Sequence, residues 1–142
     1  MPPRPRPSAR DLCPCCVFPT LGGRGFFEIC TLCNWEDDGQ DEHNASEVLG
    51  GPNSDYSLSE ARQNFQKYGQ MYRPGGDSRF LGGETPTEKD VKARLIAIFL
   101  SWRGGAIPTQ EQEDSVLRLE RELHKSLSER IMEHEARLRG EA

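Results

Sequence analysis

Two cysteine pairs with the spacing C-x-x-C stand close together near the start of the sequence. The pairs are Cys13/Cys16 and Cys30/Cys33, and residues 17–29 separate them. Two such turns, brought together, make a tetrahedral cage of four sulfurs that suits Zn²⁺. Because four protein ligands leave no open coordination position, the pattern predicts a structural zinc site. The alternative is a redox-active dithiol, since the same motif lowers thiol pKa values.

The fifth cysteine, Cys15, lies directly beside Cys16, and one ion cannot bind both of them together with the other three. The spacing selects Cys13 and Cys16 as ligands, and Pro14 presets the tight turn that a metal knuckle needs. We interpret Cys15 as a small packed residue. The alternative, a spare thiol that exchanges with a ligand on oxidation, stays open.

The composition limits the classes of protein that the sequence can represent. The 142 residues are 35% hydrophobic and 29% charged, with a formal net charge of -5. Such a chain builds a modest core that a metal ion would reinforce. Its acidity disfavours nucleic-acid binding and favours a basic protein partner. Five cysteines in this pattern indicate a reducing compartment, and no segment has the character of a secretory signal or a membrane span. We therefore expect a soluble cytoplasmic protein without membrane contact.

The segment between the two cysteine pairs must return the second pair to the first. Glycines mark a turn at residues 21–25, and residues 26–29 have the composition of a short strand. These signals predict a β-hairpin between the pairs, as in a zinc ribbon.

An acidic run follows the second cysteine pair. Trp35 should pack over the sulfurs, and Glu36, Asp37 and Asp38 should face solvent. As a patch that meets cationic groups, these four residues are the candidate partner-binding residues. The alternative, that the acidic run is a solvated loop, stays open.

Capping signals predict three helices after the cysteine-rich segment. The first should begin at Leu58 and end before Gly69, the second should span residues 86–103, and the third should run from residue 110 to about Arg139. The last two would form a helical hairpin, of which about a dozen C-terminal residues exceed the shorter helix. Those residues must pack on the metal module, pair with a second chain or project toward a partner.

These elements predict a small α+β protein, with a zinc-ribbon-like four-cysteine module followed by about three helices. The predicted organisation has four parts: a disordered Pro/Arg tail at residues 1–10, a zinc-binding domain at 11–72, a Gly-rich loop at 73–84, which is a mobile segment or a linker, and a helical hairpin at 85–142.

Several separated motifs resemble the bacterial cysteine-rich CPCC domain family. They are C-P-C-C at 13–16, E-I-C-x-x-C-x-W-E-D-D at 28–38, G-G-P-N at 50–53, and S-L-x-E-A-R-x-N-F at 57–65 with Y-G at 68–69. The resemblance covers about residues 11–72. It implies a metal-binding domain without accepted catalytic chemistry. Some relatives are encoded beside secreted toxins, which implies an immunity role.

The sequence contains none of the common catalytic or phosphate-binding motifs, so we expect no enzyme activity. The leading hypothesis is an immunity or antitoxin protein that binds a cognate toxin in the cytoplasm, through residues 35–38 and the exposed face of the last helix. The first alternative is a zinc-ribbon adaptor that contacts nucleic acid or the transcription or translation machinery. Only Arg24 is basic within residues 11–56, which disfavours that alternative. The second alternative is a thiol-redox sensor.

Overall fold

The computed structural model describes residues 3–140 and has the predicted α+β fold, with a cysteine-rich module followed by helices. Strand β1 (Asp11–Leu12) pairs antiparallel with β2 (Pro19–Leu21). The helices are α1 (Leu58–Tyr68), α2 (Pro86–Arg103) and α3 (Gln110–Leu138). Short 3₁₀ helices occupy Pro7–Ala9, Glu42–Asn44, Gly51–Asn53 and Ser78–Phe80.

The β-hairpin flanks the first cysteine pair, and the prediction that it lies between the two pairs was wrong. At residues 26–29, where we predicted a strand, only an isolated bridge from Ile29 to Glu36 forms. Phe27 has a φ of 61°, which takes it out of the extended conformation. The extended run is therefore interrupted before it reaches the length of a strand.

The N-terminal segment packs against α3, which corrects the prediction of a disordered tail for residues 3–10. The buried Arg10 guanidinium makes two hydrogen bonds to the Glu120 carboxylate, at 2.8 and 3.0 Å. Ser8 donates to the Glu113 carboxylate through both its N–H and its hydroxyl. Polar partners on α3 thus hold a segment whose prolines already restrict the backbone. Residues 1 and 2 of the predicted tail lie outside the described residues.

The helix boundaries follow the predicted caps. The side chains of Ser57, Thr85 and Thr109 each accept a hydrogen bond from the backbone N–H three residues later, which starts α1, α2 and α3. Gly69, with a φ of 75°, ends α1 in the left-handed conformation that glycine adopts without strain. The three predicted helices are therefore confirmed.

Helices α2 and α3 pack on each other and on the cysteine-rich module. Their facing apolar side chains are buried in the same core as the cysteines. The Phe99 ring stacks on Phe18 at a centroid separation of 5.8 Å. The Arg103 guanidinium lies 4.7 Å from the centre of the Phe18 ring and donates to the Val17 carbonyl. The residues of α2 that face the module therefore belong to one continuous core with it.

The C-terminal part of α3 passes the start of α2 and packs on the glycine-rich loop. The Arg130 guanidinium pairs with the Glu88 carboxylate at 2.5 Å and donates to the carbonyls of Leu81 and Gly83, each at 2.6 Å. Beyond this point Met132 is 66% exposed. The segment at residues 73–84, predicted to be a mobile segment or a linker, is thus anchored to α3.

Candidate metal centre

Each cysteine pair lies in a turn with the same backbone hydrogen bonds. In the first turn, Cys13 N–H donates to the Phe18 carbonyl at 2.9 Å, and Val17 N–H donates to the Cys13 carbonyl at 2.8 Å. The second turn repeats both bonds, from Cys30 to Trp35 and from Asn34 to Cys30, each at 2.9 Å. Val17 and Asn34, the residues after each pair, have φ values of 62° and 74°. These left-handed residues reverse the chain, so that both thiols of each pair point inward.

The two turns bring four cysteine sulfurs together in the core. The Sγ atoms of Cys13, Cys16, Cys30 and Cys33 all lie within 4.8 Å of one another, and none of these residues is more than 8% exposed. The separations are 3.6 Å for Cys13–Cys33 and 3.7 Å for Cys16–Cys30. An ion about 2.3 Å from four tetrahedral sulfurs would hold them roughly 3.8 Å apart. The four cysteines are therefore placed to bind a metal ion.

Three of the four thiols have shifted pKa values, and the shifts differ in direction. Burial raises the pKa of Cys16 and Cys33 well above the usual value. Burial also acts to raise the pKa of Cys30, but hydrogen bonds from the other three thiols and from the Thr20 hydroxyl lower it well below that value. The Thr20 Oγ1 lies 3.0 Å from the Cys30 Sγ. Because metals bind thiolates, loading of the cage releases the remaining protons.

Residues from α1 and the segment after it support the cage from outside. The Arg62 side chain donates from Nε to the Pro14 carbonyl at 2.9 Å, inside the first turn. Met71 N–H donates to the Cys33 carbonyl at 2.8 Å. These supports and the contact from Thr20 have no local motif in the sequence, because each residue acts on a part of the chain distant from its own position.

Cys15 lies outside the group of four sulfurs. It is 4% exposed, and its hydrogen bond contributes to the raised pKa of Cys33. This burial agrees with the interpretation of Cys15 as a small residue packed beside the turn.

Two of the four candidate partner-binding residues are inaccessible to a partner. For Asp37 the prediction that the acidic run faces solvent was wrong, whereas burial of Trp35 agrees with the prediction that it packs over the sulfurs. Trp35 and Asp37 are 0% exposed. The Asp37 carboxylate accepts hydrogen bonds from Arg24 Nε at 2.9 Å and from the N–H groups of Gly25 and Gly39 at 2.6 and 3.1 Å. It is buried because it satisfies the backbone donors of two turns.

Glu36 and Asp38 are partly exposed. The Asn53 side chain bonds to the Glu36 backbone, accepting at 3.2 Å and donating at 2.7 Å. Of the four candidate residues at 35–38, these two remain accessible to a partner.

A family model described as cysteine-rich CPCC matches residues 12–77. This match confirms the resemblance drawn from the motifs, and it covers the whole cage and α1. Comparison with curated proteins and with solved structures gives no match. Within residues 3–140, no helix has the length and apolar character needed to cross a membrane.

Proposed function

Because residues 12–77 form a cysteine-rich CPCC domain around a closed cage of sulfurs, we propose that the protein is a non-catalytic zinc protein that acts by protein–protein interaction. Its function would be that of an immunity protein that neutralises a cognate toxin. The observation that supports a non-catalytic zinc site is the buried cage itself. Four soft thiolates in a tetrahedron select Zn²⁺ over harder cations, and a closed cage leaves no position for a substrate.

The absence of a fifth donor supports a structural ion. Among the described residues 3–140, the group of side chains placed to bind a metal contains the four cysteines and no histidine or carboxylate. A catalytic zinc site keeps an open position for water, whereas this ion would be enclosed by the core. Its contribution is therefore to folding free energy.

The immunity role is supported by the family and by charge. The resemblance to the cysteine-rich CPCC family supports this role, because some relatives are encoded beside secreted toxins. The formal net charge of -5 suits a basic partner surface, such as the cleft of a toxin that acts on nucleic acids. An acidic inhibitor gains association rate from this complementarity and competes for the same cleft.

The test identifies the genes adjacent to the gene of this protein and uses a toxin domain encoded by one of them. We expect the purified metal-loaded chain to form an equimolar complex with that domain and to abolish its activity, while it leaves toxins from other gene pairs active. Failure of the complex to form at micromolar concentrations, with both proteins folded, would overturn the immunity role.

One observation favours the alternative of an adaptor that contacts nucleic acid. A shallow cleft of about 440 Å³ is lined by Arg4, Arg10, Arg121 and Lys125, together with acidic residues. However, Arg4 pairs with Glu28 at 2.5 Å and Arg10 pairs with Glu120 at 2.8 Å, so two of these four cations are neutralised and the attraction for phosphates is reduced. A gel-shift experiment on duplex DNA and RNA at physiological salt distinguishes the two functions, since an immunity protein should shift neither.

A further inference from the structure

Three large apolar side chains are exposed within one short segment, residues 26–29, which we call the 26–29 edge. Phe26 is 79% exposed, Phe27 is 57% exposed and Ile29 is 56% exposed. Single exposed apolar residues are ordinary on a protein surface, but adjacent ones of this size mark interaction sites. The same segment precedes the second cysteine turn, so the metal cage holds its C-terminal end in place.

The backbone at Phe27 has a strained conformation. Phe27 N–H donates to the Asp37 carbonyl at 2.9 Å, and Asp37 N–H donates to the Glu28 carbonyl at 3.0 Å. Phe27 and Glu28 thus lie opposite the single residue Asp37, which is the arrangement of a β-bulge. Phe27 occupies the left-handed position of this bulge, with a φ of 61°, where glycine would fit without strain. Strain of this kind persists where the surrounding structure imposes it, and it is concentrated at functional sites.

Buried Asp37 is the residue that imposes this conformation. Its backbone holds the bulge, and its carboxylate accepts from Gly25 N–H at 2.6 Å, one residue before the 26–29 edge. The buried acidic residue therefore fixes the direction in which the exposed aromatic side chains project.

The 26–29 edge also has free backbone groups. Within residues 3–140, neither the N–H nor the carbonyl of Ile29 makes a hydrogen bond. An extended partner segment could therefore add main-chain hydrogen bonds to its side-chain contacts, as in β-strand addition.

Within residues 3–140, the carboxylates of Glu36 and Asp38 beside the edge are not paired with a cation, whereas Glu28 of the edge pairs with Arg4 at 2.5 Å. Glu36 faces Ile29 across the isolated bridge, and its carboxylate has no cationic partner among the described residues. The Asp38 carboxylate accepts from Gln40 N–H at 3.0 Å and from Asn53 Nδ2 at 3.4 Å, and both donors are neutral. A partner that covers these carboxylates must carry Lys or Arg beside its apolar contacts.

We propose that the 26–29 edge is the docking surface for a protein segment that combines apolar side chains with Lys or Arg. The proposal deepens the proposed function, on which it rests for the identity of the partner as a toxin. In this proposal, the side chains of the 26–29 edge take the place of the buried Trp35 and Asp37 as contact residues. Glu36 and Asp38 remain contact residues at the border of the surface.

The critical variant is Phe27→Gly, because it removes the ring and relieves the strained φ. It should leave thermal stability unchanged or raised, so a loss of binding cannot be attributed to unfolding. Phe26→Ser is a second variant, which keeps the bulge. Ile107→Ser is the matched control, since Ile107 is 86% exposed in the connection between α2 and α3.

The first probe is a displayed library of random peptides selected on the metal-loaded wild-type chain. We expect the selected peptides to be enriched in Lys or Arg together with apolar residues. Phe27→Gly and Phe26→Ser should weaken their binding at least about tenfold, as loss of an aromatic hot spot does, and Ile107→Ser should not. Acidic selected peptides, no selected peptide, or binding that survives Phe27→Gly would overturn the docking surface.

The second probe is the toxin domain, which separates the two proposals. If the toxin binds and Phe27→Gly leaves its affinity unchanged, the docking surface fails and the immunity role stands. If the peptides behave as expected and the toxin does not bind, the docking surface stands and the immunity role fails.

Discussion

Cys15 and Cys16 are adjacent and both buried, but only Cys16 contributes its sulfur to the cage. We expect Cys15→Ser to retain one ion per chain and Cys16→Ser to lose it, because a serine hydroxyl is a poor substitute for a thiolate ligand of a soft cation. Elemental analysis of the two purified variants, with thermal melting beside it, measures the difference. Loss of the ion from Cys15→Ser, with retention in Cys16→Ser, would show that the ligands are assigned to the wrong neighbour.

Asp37 is a structural residue of the acidic run. Asp37→Asn keeps the shape but removes the charge that pairs with Arg24 and places an amide N–H₂ against backbone N–H donors. We expect a loss of about 2–4 kcal/mol in the free energy of unfolding, as for a broken buried ion pair with an unsatisfied donor. Chemical denaturation measures it.

The control for Asp37 is Glu47→Gln, because Glu47 is exposed and its carboxylate has no partner within residues 3–140. It should change stability by less than about 0.5 kcal/mol. Equal effects of the two substitutions would contradict the structural role of Asp37. The burial of Asp37 was not predictable from sequence, because adjacent acidic residues look alike until the turns that need an acceptor are known.

At the scale of elements, helices were predictable and strands were not. Thr85 and Thr109 start helices through contacts three residues away, which a sequence pattern contains. The pairing of β1 with β2 and the bulge at Phe27 depend on where the two cysteine turns place the chain. The cage itself was predictable because each C-x-x-C turn is local, whereas its support by Arg62 comes from a distant helix.

The 3₁₀ helix at Ser78–Phe80 anchors the glycine-rich loop through its N-cap, Asp77. Hydrogen bonds from Arg79, and then from the Tyr56 hydroxyl, lower the pKa of Asp77 to about 2. Because this pKa lies below the unfolded value of about 3.9, Asp77 stabilises the fold above that pH and loses this contribution as the pH falls toward 2. We expect the free energy of unfolding to decrease more steeply across this window in the wild type than in Asp77→Asn.

Denaturant titrations at a series of acidic pH values measure this difference. Comparison with Asp77→Asn separates the contribution of the carboxylate from protonation of the cysteines, which both chains share. Parallel curves for the two chains would contradict a stabilising role for ionised Asp77.

At the scale of the whole molecule, contacts join the cage to the C-terminal helices across the predicted boundary at residues 73–84. Phe18 lies just after the first cysteine turn and stacks on Phe99 of α2. Arg10 lies just before that turn and pairs with Glu120 of α3. The metal-binding turn is therefore held between two contacts with the helical hairpin, so the two parts should unfold together.

Removal of the metal should consequently unfold α2 and α3 together with the cysteine-rich module. Without the cage, Phe18 and Arg10 lose their fixed positions, and a pair of helices with one apolar face uncovered is marginal in water. We expect a strong chelator to abolish most of the helical circular dichroism signal in one transition, and added Zn²⁺ to restore it. The same chelator already saturated with Zn²⁺ is the matched control and should have no effect. If the helical signal persists after elemental analysis shows that the metal is gone, the helices fold independently and the coupling through Phe18 and Arg10 is refuted.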